Sequence, residues 1–556
     1  YHEALDCYEK AFPVLDRLED HEGLLASSLN AAVVLTILHQ FDRADEKYDQ
    51  ASGLAQVLRM DAVELQSRYN RTYLSYLKGD SGVALRGMLA LKNEFRQGGD
   101  ENHVCLCWLD EAEILLELGD LSEAIQSARE ARKLGEKLGL NYEIGKSLLF
   151  EAAASLRMGE DTHAGSLLDE AMRRFESEGN SIWTAVSRLQ AALFRGERGD
   201  IQALKEAASA RRLLEDASLP DRLALADIVI GRIQRAAGET PCAIDSFESA
   251  VLLAEESNSE WMKFHAAHEL GLTLLKTDPS MSRAHLEKAE AMLDSMWHRI
   301  GSDDLKMAFL NDRENVYSHL ITNVAPNSTD EAFRLSERAR SRVLVERLAR
   351  VGEDPVVSAD IPAHLDADET LVEYFISGND LGIFIVDRNG VEWIHRPGTA
   401  SSLKQEWEQM ERHLASCSVK WEQLSRVAQH LERTALSHLQ TLYDGLIEPV
   451  RDRLGKKLVI VPHGFLHGVP FHALHDGNAY LSEHHSIVYS PSAILYVTPP
   501  VEEPDEPPLF VAFSTDAKEG IVEEVEQTAK GFPDAMVLVN PSVDLLRREM
   551  SLYRPL

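Results

Sequence analysis

Apolar residues recur at helical spacing through the first three hundred positions, and a turn signal interrupts them at a fixed interval. Gly79-Asp80, Gly119-Asp120, Gly159-Glu160, Gly199-Asp200 and Gly238-Glu239 follow one another at steps of 40, 40, 40 and 39 residues. Glycine just past an apolar run closes a helix, because it enters the left-handed region without a Cβ clash. The acid behind it suits the positive end of the next helix dipole. A second series keeps the same beat: Ala4, Ala44, Ala84, Ala124, Ala164, Ala203, Ala243 and Ala284. Seven residues after each come Ala11, Ala51, Leu91, Ala131, Ala171, Ala210, Ala250 and Ala291. Seven residues are two helical turns, so each pair shares a face, and small side chains there let helices approach closely. Each unit therefore reads as two helices of about 17–19 residues, roughly 25–29 Å long. About seven and a half units fit between Tyr1 and Ile300. One unit cannot bury its own apolar face, whereas stacked units can.

Positions 302–350 stay helical but leave the repeat, and Gly352, Pro355 and Pro362 mark a boundary. After Asp368 the period becomes two. Residues 371–376, 381–386 and 391–395 are β-branched and aromatic runs separated by Gly378-Asn379-Asp380 and Asn389-Gly390, which predicts a three-stranded antiparallel meander. Helices are expected over 402–416 and 421–454. Strands follow at 458–461, 486–489, 509–513 and 535–539. The first, third and fourth are apolar enough for buried parallel strands, and a helix at 521–530 makes the last two a βαβ crossover. The fold class is an α-solenoid of helix pairs (1–300), a helical connector (301–365) and an incomplete α/β domain (366–556).

Charge narrows the function. Lys and Arg number 57 against 91 Asp and Glu, a net charge of −34, which disfavours direct binding to a phosphate backbone. Arg338, Arg340, Arg342, Arg347 and Arg350 recur at helical spacing beside Glu337 and Glu346; this is read as a salt-bridged helix face rather than a basic patch. The five cysteines, Cys7, Cys105, Cys107, Cys242 and Cys417, form no CxxC pair. That usage fits a reducing cytoplasm and argues against a disulfide scaffold or a structural zinc. No apolar stretch is long enough for a membrane helix, and no secretory signal opens the chain. The first residue, Tyr1, falls inside a helical pattern, and both ends of the natural protein are expected to lie beyond this sequence.

The helix pairs resemble the tetratricopeptide repeat in a long-period form, 40 residues instead of about 34; arrays of that kind present a concave surface to peptides or proteins. The stretch Val461-Pro462-His463-Gly464-Phe465-Leu466-His467-Gly468-Val469-Pro470-Phe471-His472-Ala473-Leu474 resembles a signature of the CHAT family. Tyr480-Leu481 through Tyr489-Ser490-Pro491-Ser492 is similar to that family's next segment, and Ala332-Phe333 through Arg342 to its lead-in helix. The resemblance implies a caspase-like cysteine peptidase built as an α/β/α sandwich, from a bacterium or archaeon, with links to defence and cell death. It further implies a catalytic His in a His-Gly motif after one core strand and a catalytic Cys ending the next. The His would favour the thiolate, and backbone N–H groups would hold the oxyanion. By this reading 509–513 and 535–539 are the first two core strands, and the third, with its His, begins just after Leu556. No catalytic residue is therefore carried onto the chain, and the sheet is left with an edge prone to aggregation.

Other residues offer candidate chemistry of weaker signal. His463 and His467 have the spacing of a helical zinc pair. Pro462, Gly464, Gly468 and Pro470 argue against a regular helix there, so these two, with His472, His475, His484 and His485, are read as structural. Cys417 lies in a helical stretch and not at a strand end, which argues against a dyad. Cys105 and Cys107 are read as core packing, and Ser490 and Ser492 as loop or capping residues. Asn70-Arg71-Thr72 and Asn327-Ser328-Thr329 are glycosylation sequons by chance in a cytoplasmic protein. No Gly-x-Ser-x-Gly elbow, phosphate loop or dinucleotide fingerprint occurs. No catalytic, cofactor-binding or metal-binding residue is assigned, and no cofactor is implied. The function expected is the partner-binding repeat region of a regulated caspase-like peptidase that cleaves a protein. The alternative is a non-catalytic interaction scaffold with a degenerate CHAT-like domain.

Overall fold

The computed structural model describes all residues except 216, 218, 258, 351–357, 418–427, 499–507, 514–518, 533, 550–553 and 556. Fifteen helices open the chain: α1 (His2–Arg17), α2 (His21–Ile37), α3 (Phe41–Val57), α4 (Asp61–Leu77), α5 (Ser81–Gly98), α6 (Glu101–Leu118), α7 (Leu121–Leu138) and α8 (Asn141–Arg157). They continue as α9 (Asp161–Ser177), α10 (Ser181–Gly196), α11 (Ala203–Glu215), α12 (Pro220–Ala236), α13 (Thr240–Ser257), α14 (Glu260–Leu274) and α15 (Pro279–Trp297). The turn beat is twice as fine as the glycine series revealed. Glu19, His39, Arg59, Gly79, Gly99, Gly119, Gly139, Gly159, Gly179 and Gly199 all have positive φ, one at the end of each of α1 to α10, 20 residues apart. The first three are not glycine, so the beat is invisible there in sequence.

The paired small residues pack as their spacing predicts in the middle of the stack. Ala44, Ala84, Ala164, Ala203 and Ala243 are inaccessible, as are Ala51, Ala131, Ala171, Ala210 and Ala250. The ends differ. Ala4 is exposed, because α1 is the first helix and carries no earlier unit on that face. Ala284 and Ala291 are also exposed; their places are taken by Ser282 and Ala289, both inaccessible. Asp278 caps α15, its carboxylate accepting from the Met281 N–H. That start keeps the 39-residue step from Gly238-Glu239 and puts residues 282 and 289 on the inward face.

The stack curves until it meets itself. His39, at the end of α2, lies 3.9 Å from Asp221 at the start of α12. Arg299, just past α15, donates to the carbonyl of Lys78 at the end of α4 (2.8 Å). Beside it the backbones of Gly82 and Gly301 touch; a Cβ on Gly82 would sit 2.7 Å from the Gly301 nitrogen. One hydrophobic cluster accordingly joins Tyr69, Met88 and Phe95 of the early units to Phe264, Trp297 and Phe309 of the late ones.

Two longer helices follow, α16 (Asp303–Val324) and α17 (Thr329–Arg350), then the short α18 (Ile361–His364). Pro362 lies in α18, while the loop expected around Gly352 and Pro355 falls outside the described residues. The meander forms as β1 (Glu369–Ser377), β2 (Asp380–Asp387) and β3 (Gly390–Arg396). After α19 (Ala400–Cys417) and α20 (Ala428–Leu446) come β4 (Lys457–Val461) and β5 (Ser486–Tyr489). The helix expected through 454 ends early, at Leu446, and Pro449 opens a separate 3-10 turn over Glu448–Arg453; residues 421–427 of that expectation lie outside the described ones.

The five strands make one mixed sheet in the order β3-β2-β1-β4-β5, with β1 antiparallel to β2 and parallel to β4. Alternation along β1 serves two layers. Val372 and Tyr374 join the core under α19 and α20. Leu371 and Phe375 join Tyr317, Ile321 and Phe333 of α16 and α17. The connector helices thus cover one face of the sheet.

The last strands form a separate sheet. β6 (Pro508–Ala512) and β7 (Met536–Val539) pair in parallel, Leu509 opposite Met536, with the helix Glu519–Ala529 between them in sequence. β7 is only half-buried, and Val539 is exposed. A two-residue strand β8 (Arg554–Pro555) adds to the other edge of β6, so a third strand begins before Leu556 rather than after it. The helix Val543–Glu549 precedes it.

Candidate functional site

The even-numbered helices line the inside of the curve, and their facing residues form a ladder. On α4, Tyr69, Tyr73 and Tyr76 stand at steps of four and three, one helical face. On α6, about forty residues later, Asp110, Glu113 and Glu117 stand opposite them. The Tyr69 hydroxyl donates to Asp110, Tyr73 donates to Glu113 (3.3 Å), and Tyr76 lies in the field of Glu117. Lys146 on α8 closes the series from the other side, 3.2 Å from Glu113.

Burial sets the protonation of this ladder. It pushes the Asp110 carboxyl up to about 7, against the pull of Lys146, and the Glu117 carboxyl up to about 8, with Glu113 adding to the shift. Burial alone would depress Lys146; Glu113, then Tyr142 and Asp110, reverse that and hold it above its usual range. All three ladder tyrosines are pushed well above the ordinary phenol, first by burial and then by these acids.

The inside of the curve is divided into two cavities. One, of about 480 Å³, is bounded by residues of α2, α4, α6, α8, α10 and α12. The other, of about 980 Å³, lies between α6, α8, α12, α14 and α16 and is bounded by Glu117, Arg157, Arg232, His265, Glu269 and Arg313, among others. Arg313 holds α16 in place: it donates to the Glu117 carbonyl and lies over the Phe309 and Trp261 rings at 4.4 and 4.8 Å. His265 is pushed down to about 3 by burial and then by Arg313, so it is neutral. Asn315 borders the larger cavity and, across α16, a smaller one of about 320 Å³ that also takes in Ile376 of β1 and His463.

The lead-in arginines are paired, as a salt-bridged face requires. Arg338 bridges Glu290 and Asp294, and Arg342 bonds Asp294 (2.5 Å); the side chains of Arg347 and Arg350 lie outside the described ones. Arg340 instead reaches into the sheet. It sits 3.2 Å from the inaccessible Glu373 of β1 and donates to the carbonyls of Pro462 (2.9 Å) and Tyr374. Beside it Glu337, also inaccessible, accepts from the N–H groups of Ala493 (3.0 Å) and Ile494 (2.7 Å). Burial and then Glu373 push Glu337 well above the usual carboxyl range.

The histidines disperse onto separate partners. His463 follows β4 and precedes the 3-10 turn Gly464–Gly468, and its Nδ1 accepts from the Ile376 N–H (3.1 Å). His467 is exposed on the 3-10 turn Gly464–Gly468, which Gly464 enters at φ +56. His472 faces Tyr489, His475 faces Tyr480, and His485 lies 2.7 Å from the Gly455 carbonyl. Ser490 and Ser492 are buried; Ser490 donates to the Ser492 carbonyl and Ser492 caps the helix Ala493–Val497. Cys105 and Cys107 are inaccessible on α6, and burial pushes the Cys105 thiol up to about 12 and Cys107 upward as well. The Cys417 side chain falls outside the described ones. The concave surface was expected from the repeats, but none of the residues that line it was; the signal available was the offset of about forty between the tyrosine and acid series.

Residues 436–543 match a model of the CHAT domain. The chain carries a CHAT domain. The match takes in β4 to β7, while the meander that completes the sheet of β4 precedes it. Ahead of the CHAT domain stand the tetratricopeptide-like helix pairs. No curated protein matches the chain. Among solved structures, a Rap protein complexed with Competence and Sporulation Factor is 13% identical, with a TM-score of 0.39 over 58% of this chain and 98% of that one. NprR in complex with its cognate peptide NprX is 15% identical, with a TM-score of 0.36 over 60% and 99%. The separase–securin complex of Saccharomyces cerevisiae is 10% identical, with a TM-score of 0.37 over 99% and 54%. At such scores the likeness does not define what this chain binds. Among the described residues no helix is long and apolar enough to cross a membrane.

Proposed function

We propose that the helix pairs are the partner-binding region of a regulated caspase-like cysteine peptidase, and that occupancy of their concave side biases the CHAT domain. One observation carries this reading: α16 borders the lumen at Arg313 and packs on the sheet through Tyr317 and Ile321. A partner acting on the solenoid therefore meets a rigid element shared with the sheet, the kind of two-state coupling that regulation requires. The partner is a protein or peptide, the site of action is cytoplasmic, and the repeats, connector and CHAT region run over 1–300, 301–365 and 366–556. The continuity of β1 to β3 with β4 supports a CHAT region that begins near 366.

A cysteine-directed peptidase probe tests the catalytic half of the proposal. The 556-residue chain should stay unlabelled. Expressed at the full length its gene encodes, the protein should label at one cysteine, and substitution of that cysteine should abolish both labelling and cleavage. Labelling of the short chain at Cys417 overturns the assignment. No labelling in the full-length protein favours an interaction scaffold with a degenerate CHAT domain.

A further inference from the structure

We infer that the smaller cavity of the solenoid is a binding site for a small organic acid, a carboxylate on an aromatic or apolar body, held by Arg222. Its volume, about 480 Å³, falls in the range of small-molecule pockets, roughly 300–1,000 Å³. The meeting of His39 with Asp221 closes one side of it, which suits a compact ligand better than an extended chain.

The walls supply the body's half of the recognition. Tyr73, Tyr142, Trp183, Leu106 and Ile182 border the cavity, with Tyr142 edge-on to Trp183 at 6.3 Å between ring centroids. Arg222 lies over the Trp183 ring at 5.1 Å, and Lys146 at 5.0 Å. Stacking of this kind fixes a guanidinium plane while leaving its edge open.

The charges that face the cavity decide the head group. Lys146 is engaged by Glu113 at 3.2 Å. Asp110 accepts from Tyr69. Asp221 sits 3.3 Å from the Nε of Arg222 and 3.9 Å from His39. Among the described residues, the two Nη groups of Arg222 have no hydrogen-bond partner, although the side chain is 31% accessible and borders the cavity. A planar fork of N–H donors opening into an aromatic-walled space matches the two oxygens of a carboxylate. His39 borders the same cavity. An entering acid would give the Nη groups of Arg222 a partner.

The test uses the 556-residue chain and four probes sharing a phenyl group: 3-phenylpropionate, its amide 3-phenylpropanamide, phenethylammonium and phenyl phosphate. Calorimetric titration should show saturable binding of 3-phenylpropionate, about tenfold or more tighter than the amide, the margin of a charge-assisted pair. Arg222→Met should reduce the acid to the affinity of the amide, and Arg222→Lys should restore only part. Ile182→Trp, which fills the cavity and leaves Arg222 in place, should abolish both; thermal melting of each variant confirms that it folds. Equal binding of acid and amide, tighter binding of the ammonium probe, retention of the acid by folded Arg222→Met, or no binding of any probe at millimolar concentration would each overturn the inference. Tighter binding of phenyl phosphate than of the carboxylate would reassign the head group and overturn the carboxylate claim.

Discussion

At the scale of single residues, the lumen stores protons and the turns store backbone strain. Asp110 is inside the curve, and burial holds its carboxyl near 7. A raised folded pKa means the group's contribution to stability is complete below the ordinary carboxyl range, falls as pH rises from there, and is gone above about 7. Asp110→Asn keeps an acceptor for Tyr69 and removes the titration. It should gain roughly 2–4 kcal/mol on the wild type between pH 4 and pH 8, read as the difference in chemical-denaturation stability across that range. Arg59 ends α3 at φ +56, where a side chain is strained and later turns place glycine. Arg59→Gly should raise stability by about 1 kcal/mol, visible as a higher melting temperature. The cavity sides of Asp110 and Arg222 could not be read in the sequence, because helical periodicity assigns a residue to a face but not to the neighbour that face will meet.

At the scale of elements, α17 is held to the sheet by a buried charge and α16 by a buried face. Arg340 is the cation beside Glu373 and Glu337. Removing it leaves acids without a counter-charge, the most expensive way to break a buried pair. Arg340→Met should therefore cost about 3–5 kcal/mol, whereas Arg340→Met with Glu373→Gln should recover part of that; denaturation of the two variants measures it. The lead-in helix was visible in the sequence as an amphipathic run rich in arginine. That Arg338 and Arg342 would pair with α15 while Arg340 points into the sheet depends on where α15 and β1 come to lie, which local pattern does not contain. The same limit explains the sheets. Strands β1 to β7 were each legible from period and composition, yet their division into a five-stranded sheet and a separate β7-β6-β8 sheet is a matter of which hydrogen-bonding edges meet.

At the scale of the whole molecule, the solenoid closes through a contact between two glycines. Gly82→Val would drive a side chain into the Gly301 backbone, and overpacking of this kind costs about 1–3 kcal/mol. The expected result is a larger radius of gyration in small-angle scattering and faster hydrogen exchange in α16; unchanged exchange there would mean that closure does not hold α16 in place. The sequence alone determined the helix-pair repeat, its step of about forty, the meander and the βαβ tail, because each rests on short-range periodicity, turn chemistry and helix capping. The tertiary structure alone decided the curvature of the stack, the register of its last unit at Ser282 and Ala289, the lumen with its two cavities, and the place of α16 between lumen and sheet. Those features come from small rotations summed over seven units and from contacts between residues as distant as Lys78 and Arg299, and no window of local pattern reaches that far.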